Sequence, residues 1–442
     1  MGKKKLYLET LGCARNTVDS ERMLAQLKSA GWTITTQPDY ADTIIVNTCS
    51  FIEPAIDESI DTILELVRFK QTGACRRFIV AGCLPERFRE AIVPALGEVD
   101  LFIGTGGFEN IVAAANGGFH ATKCFLPDPN ASLHQEFGRS LLQPDSSFAY
   151  LKISEGCDRH CTYCIIPKLR GRQKSRSLHR IVSEAQELIA SGIKEIILIA
   201  QDSTAYGKDL RPSLDIGILL ETLSEKFHDV WFRVLYGHPE SIDEHFIQTV
   251  AGHSNVCSYF DIPIQHSSNL VLKKMGRNYT EDDLYRLFDN IRTVVPGASI
   301  RTTIITGFPG ETEADCQRLL DFMNHIRFDH LGVFIYSDSN DLASHRLPDH
   351  VDKKTAQARY DRLMFHQKKI SFKNNKNHIG RLYDAIVEEK IETGLYSGRT
   401  YFQAPEVDGI TYIYSSEPFQ PGSFVRVTVT DALEYDLVSE PE

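Results

Sequence analysis

Gly156-Cys157-Asp158-Arg159-His160-Cys161-Thr162-Tyr163-Cys164 places three thiols in one short loop at CxxxCxxC spacing. Three close cysteines can hold three irons of a 4Fe–4S cluster and leave the fourth iron without a protein ligand. A structural zinc ion asks instead for four ligands, often as two CxxC-type pairs. His160 would have to be the fourth, from inside the loop, where it would crowd the other three. The loop also decides the fold of the middle of the chain, because it directly follows the strand-like run 148–154. Five more such runs follow, at 195–201, 231–236, 258–264, 299–306 and 330–337, separated by amphipathic, helix-length segments. Six βα units predict an open, partial (β/α)6 barrel with its chemistry at the carboxyl ends of the strands.

Residues 5–117 show a separate alternation. Strand-like runs at 5–13, 43–51, 78–83 and 101–106 are each followed by a helical pattern, which predicts a Rossmann-like or flavodoxin-like parallel sheet. Cys13, Cys49 and Cys83 close the first three runs, 36 and 34 residues apart. Ligands gather at the carboxyl ends of strands in such sheets, so the three thiols are expected to converge as a second cluster site. Singly, each reads as a core cysteine. Cys75, Cys124, Cys257 and Cys316 lack this placement and are expected to be structural.

The expected organisation is an N-terminal domain at 1–120, a proline-punctuated linker at 121–147 and a barrel with a long C-terminal helix at 148–379. A small all-β barrel at 380–442 follows, with strands at Leu382–Glu388, Tyr396–Gln403, Thr411–Tyr414 and Phe424–Asp431. With 442 residues, 42% of them hydrophobic, the chain can build two or three cores. Ten cysteines with no apolar leader and no membrane-length apolar run fit a reducing cytoplasm better than a disulfide framework. The net charge of -11 argues against a general nucleic-acid binder and is spread unevenly: -4 over 1–147, +1 over 148–379 and -8 over 380–442. In that last stretch four basic residues face twelve carboxylates.

The strings LGCARNTVDSE, ISEGCDRHCTYCIIPKLRG, LIAQDSTAYG, DIPIQHSS and TTIITGFPGET, with the β-rich tail, together resemble the methylthiotransferase family of radical S-adenosylmethionine (SAM) enzymes. The resemblance covers essentially the whole chain. It implies a methylthiotransferase domain, a radical SAM partial barrel and a TRAM domain, with two 4Fe–4S clusters and SAM as cofactors. By position, Cys157, Cys161 and Cys164 would hold the radical cluster, and Cys13, Cys49 and Cys83 the auxiliary one. One branch of the family modifies an adenosine of transfer RNA and resembles GCQMN near the first cysteine. The other modifies an aspartate of small-subunit ribosomal protein S-twelve, giving 3-methylthioaspartate. Gly12-Cys13-Ala14-Arg15-Asn16, Leu235-Tyr236-Gly237-His238-Pro239 and Ala404-Pro405-Glu406-Val407-Asp408-Gly409 are similar to the second branch. The acidic tail agrees, since an RNA-gripping module should be basic whereas an acidic one attracts a basic protein. A monomer served by an electron donor such as a flavodoxin is the expected setting, and a non-catalytic ribosome-binding scaffold is the competing class.

Further cofactor-binding candidates are Tyr163, beside the adenine by resemblance or packed under the loop, and Gln201 and Asp202 after a strong strand. Gly307, Gly310 and Glu311 could let backbone approach a ligand or could simply make a tight turn. His266 and Ser267 are candidates of the same kind. Seven basic residues between Arg159 and Arg180 read as a partly functional basic face, with no single arginine distinguished. Tyr336–Ala343 lacks the family's usual Gly-Thr, and Ser203-Thr204 inverts its more common order.

Overall fold

The computed structural model describes residues 4–131 and 138–442, so residues 132–137 of the expected linker lie outside the described residues. The chain divides into two compact units. Met1–Pro144, Glu155–His160 and Cys164–Lys174 form one, and Asp145–Ser154, Cys161–Tyr163 and Ser175–Glu442 form the other.

The first unit is built on a parallel sheet. Its strand order is Thr33–Ile34, Lys5–Thr10, Thr43–Thr48, Arg77–Gly82, Leu101–Ile103 and Cys124–Phe125. The middle strands are β-branched and wholly or almost wholly buried, as a sheet covered on both faces requires. Alternation divides them between two cores. Ile45 and Ile79 pack with Met23 and Leu27 of the helix Ala14–Ser29, while Ile44, Val46 and Phe78 pack with Ile63 of the helix Glu53–Val67. Two edge strands were not foreseen. Cys124–Phe125 lies within the stretch expected to be linker, and it pairs in register with Phe102 and Ile103.

In the second unit six parallel strands follow one another in sequence order, the arrangement of an open (β/α)6 barrel. Phe148–Lys152, Glu195–Ile199 and Trp231–Val234 form one ladder; Tyr259–Asp261, Ser299–Thr306 and His330–Ile335 form another. Between them an isolated parallel bridge pairs Phe232 with Val256, three residues before Tyr259, and the Gly237 amide donates to Asp261 O at 2.9 Å. The run expected as a strand at 258–264 ends early. Pro263 has no N–H to donate, and Gln265 adopts φ +67°.

The tail closes a five-stranded barrel from Leu382–Glu392, Leu395–Thr400, Thr411–Tyr414, Leu437–Pro441 and Phe424–Ala432, one strand more than expected. It packs over the amino ends of the (β/α)6 strands. Five first residues are engaged: Glu195 by Arg399, Trp231 by Phe424, Tyr259 by Asp408, and Ser299 and His330 by the carbonyl of Phe402. Glu195, fully buried, accepts from Arg233 Nε at 2.6 Å and from Arg399 Nη2 at 2.7 Å. Burial works against its ionisation, but the two guanidinium groups outweigh that and hold its carboxyl below the ordinary 4.5.

Glu195→Ala should therefore leave the buried Arg233 without its carboxylate and Arg399 with Glu388 alone, and cost about 3–5 kcal/mol, read as a lower denaturation midpoint. The same group sets an acid dependence. Its folded pKa is depressed, so its contribution is complete above about pH 4.5 and fades as the pH falls through the lowered value. Glu195→Gln should flatten that part of the stability profile.

Candidate active site

Parallel register brings the three strand-end cysteines together. Asn47 aligns with Thr10 on one side and Ala81 on the other, and Thr48 aligns with Gly82. Cys49 and Cys83 thus each lie one residue past an aligned pair. Cys13 follows the neighbouring strand across the point where the strand order reverses, which is where open α/β sheets bind ligands. Gly12, at φ +93°, lets the chain turn there, since a Cβ on it would stand 2.6 Å from Cβ of Cys49. Cys49 and Cys83 are buried and Cys13 is half-buried.

A buried polar shell surrounds them. Asn16 is fully buried and donates to the carbonyls of Leu11 at 2.8 Å and Thr48 at 3.1 Å, tying two strand ends to the first helix. Arg170 ends the short helix Ile166–Arg170, six residues after Cys164, and is 4% exposed. Its guanidinium donates to Asp19 Oδ2 and Asn16 Oδ1, each at 2.6 Å, and to Sγ of Cys83 at 3.5 Å. Glu155 Oε2 stands 3.5 Å away. Burial pushes the Cys83 thiol up to about 11, opposed by Arg170 and reinforced by Cys49 and Cys13. Burial also raises Cys49. At Cys13 burial acts the same way, but Arg15, Arg170 and the amides of Asn16 and Arg15 outweigh it and lower the thiol. Each thiol feels its neighbours, so the three form one electrostatic site. Nothing in the sequence separates Arg170 from its six basic neighbours.

The CxxxCxxC loop is held along its length. The amide of Cys157 donates to Gly171 O at 3.1 Å, and the amide of Arg159 donates to Sγ of Cys157 at 3.4 Å. Thr162 is clamped separately: its amide donates to Met275 O at 3.0 Å, its hydroxyl to Lys274 O at 2.8 Å, and its carbonyl accepts from Ser344 N at 2.9 Å. Tyr163 packs among Val271, Met275 and Phe308. Its hydroxyl accepts from Arg277 Nε at 3.1 Å and Nη2 at 2.5 Å. The geometry of Tyr163 is that of packing under the loop.

Several other candidates also prove to serve the backbone. Glu311 is buried; its Oε2 accepts from the amides of Gly307 and Phe308, its Oε1 accepts from Thr306 Oγ1, and Arg359 pairs with it at 3.4 Å. Gly307 and Gly310 both adopt φ +77°, in the left-handed region that favours glycine. A Cβ on the first would meet Ala356 at 2.6 Å, and one on the second would meet Lys274 Nζ at 1.8 Å. Asp202 caps the turn Ser203–Ala205, accepting from Thr204 Oγ1 at 3.0 Å and the Ala205 amide at 3.2 Å. Gln201 is half-buried beside it. His266 and Ser267 differ from these. Both are fully buried, and His266 Nδ1 accepts from the amides of Ser267 and Ser268 at 2.9 Å each, so the ring proton resides on Nε2. His266 Nε2 and Ser267 Oγ have no protein partner among the described residues. Burial keeps His266 neutral, lowering it to about 4.

Among the described residues no three His, Cys, Asp or Glu side chains converge closely enough to hold a single metal ion. A 4Fe–4S cluster takes each thiolate onto a different iron, so its ligands stand wider apart. Three strand-end thiols beside a buried cation fit that group better than zinc, which wants four ligands at one centre.

Comparison with known proteins agrees with this architecture. Residues 5–104 match the family described as uncharacterized protein family UPF0004, residues 151–323 the radical SAM superfamily and residues 379–441 the TRAM domain. A solved structure of the radical SAM methyltransferase TsrM from Kitasatospora setae shares the fold at TM-score 0.60 and 15% identity, covering 84% of this chain and 89% of that one. The chain is thus built as a radical SAM protein with a TRAM barrel appended. It is 49% identical to the ribosomal protein uS12 methylthiotransferase RimO of Desulfosudis oleivorans, over 99% of this chain and 100% of that protein. It is 44% identical to that of Clostridioides difficile, over 99% and 98%. It belongs to the RimO family of radical SAM methylthiotransferases.

Replacing Cys13, Cys49 and Cys83 together by Ala should remove about half of the iron bound after anaerobic reconstitution and leave reductive SAM cleavage in place. Iron content is the measurement. Wild-type iron in the triple variant would make these cysteines structural.

Proposed function

We propose that this chain inserts sulfur at the β-carbon of an aspartate of ribosomal protein uS12 and methylates it, giving 3-methylthioaspartate. The observation that carries this reading is the convergence of Cys13, Cys49 and Cys83 at the sheet's reversal point, in a chain that also carries the CxxxCxxC loop. A 4Fe–4S cluster held by Cys157, Cys161 and Cys164 would keep one iron open and would supply the electron for reductive cleavage of SAM, whose released 5′-deoxyadenosyl fragment is what abstracts hydrogen from an unactivated carbon. The chain's own residues hold and orient. Thr162 and Tyr163 fix the loop against Met275 and Arg277, while Glu311 and the glycines shape the adjoining turn. Gln201, His266 Nε2–H and the Ser267 hydroxyl are the groups we assign to ligand contact at the carboxyl ends of the strands. Cys13, Cys49 and Cys83 hold the second cluster, with Arg170 beside it. The reaction is placed in the cytoplasm, in a monomer reduced by a small electron donor such as a flavodoxin, on uS12 alone or within the small subunit.

The tail is assigned to recognition of the basic substrate protein. Of its carboxylates, Glu388 is paired to Arg399 at 2.7 Å and Asp408 to Arg301 at 3.4 Å, so these do not face a partner. Glu389 and Glu392 are exposed. Glu389→Lys with Glu392→Lys should slow association with purified uS12 and reduce its dependence on salt, while kcat is unchanged, because exposed charges act on encounter. Equal affinities and equal salt slopes would remove the tail from recognition.

The activity is tested by the mass of uS12 in cells lacking the gene and in cells carrying it back, either wild type or with Cys157→Ala. Only the wild-type gene should restore the modified mass. An unmodified uS12 in all three, with a methylthiolated adenosine in transfer RNA, would transfer the chain to the other branch.

A further inference from the structure

Arg170 is not explained by holding the fold alone. It is a fully charged group in a nearly dry site, and only part of its hydrogen-bonding capacity goes to Asp19 and Asn16. Beyond a carboxylate contact to Glu155 Oε2 at 3.5 Å, it is aimed at sulfur, 3.5 Å from Sγ of Cys83, with its Cζ 6.0 Å from the ring centroid of Phe108. A buried cation beside a group of thiolates offsets their negative charge, and charge and hydrogen bonds at the sulfurs are what set the potential of an iron–sulfur cluster. Asp19 then acts with the opposite sign, holding the guanidinium in place and partly cancelling its field.

We propose that Arg170 is a positioning residue that donates a charged hydrogen bond to the cluster held by Cys13, Cys49 and Cys83 and raises its reduction potential. This rests on the second cluster site proposed above. The residue also gives that site a covalent link to the CxxxCxxC loop. Cys164 and Arg170 are separated only by Ile165 and the short helix, whose Leu169 carbonyl accepts from the Thr105 hydroxyl. Ordering the loop's last cysteine and seating the guanidinium at Cys83 are therefore movements of one segment.

The test is an EPR-monitored redox titration of the full-length reconstituted enzyme. The signal of this cluster is assigned by its loss when Cys13, Cys49 and Cys83 are replaced by Ala. Arg170→Gln should lower the potential by at least the equivalent of a tenfold change in the reduction equilibrium, ~59 mV for one electron. Asp19→Asn should raise it, and Arg170→Lys should restore most of the loss. Arg170→Gln alone leaves Asp19 and Glu155 without their shared counter-charge, so the Arg170→Gln/Asp19→Asn double variant removes the nearer carboxylate with the guanidinium and should still titrate below wild type. Unchanged potentials in folded variants that merely melt earlier would make Arg170 a structural brace and overturn the proposal. A wild-type enzyme with only about four irons and no such signal would overturn the second cluster itself, a distinguishable failure.

Discussion

A site assembled from three separate strands exists only if those strands end level. Parallel pairing supplies that levelling, because its ladder fixes which residues stand abreast, and a slip of one position would turn each cysteine to the opposite face of the sheet. Here Thr48 stands level with Gly82, so Cys49 and Cys83 leave the sheet together. Asn16 then draws the end of the neighbouring strand to Thr48 through two donated hydrogen bonds. The rest of the first unit follows from this demand. Apolar residues on both faces hold the register, and the reversal of strand order opens the crevice in which the thiols meet.

Charge is the second requirement. Burial opposes ionisation at all three thiols and prevails at Cys49 and Cys83, which are raised. A thiolate, not a thiol, is what an iron accepts. The chain meets this with the deeply buried Arg170, joined at Cys13 by Arg15, and it neutralises part of the Arg170 charge with Asp19 and Glu155. The same economy recurs at the foot of the barrel, where Glu195 serves two arginines at once.

The long β-branched runs were legible because a buried strand and its sequence signal are the same fact: Thr43–Thr48 and Glu195–Ile199 are uniformly buried. Two-residue strands such as Cys124–Phe125 have no periodicity to read. The six cysteines we assign to clusters stood out by spacing and by strand-end position, which are properties of the chain. Arg170 did not, because its role depends on Asp19 and Cys83, more than eighty residues away, reaching the same point. Glu311 and Gly310 show a related ambiguity. A glycine-rich strand-to-helix turn looks alike whether a ligand or a lysine side chain lies beside it, and here Lys274 Nζ does. The tail's net charge was correct as a sum, but Glu388 and Asp408 show that a sum does not reveal which charges face solvent.

Where the tail sits limits what it can do. It covers the amino ends of the barrel strands, through Glu195, Tyr259, Ser299 and His330, whereas Asp202, His266 and the Gly307 turn lie at the carboxyl ends. Glu195–Ile199 and Ser299–Thr306, five and eight residues long, span about 17–27 Å at the usual rise, so the tail's contacts at Glu195 and Ser299 stand that far from the carboxyl ends of those strands. The tail's influence on catalysis must pass through binding: it can hold a substrate protein whose own extended segment reaches the other end of the barrel. Remote contacts of that kind change how often and how long the substrate is held, and they leave the chemical step to the groups at the carboxyl ends.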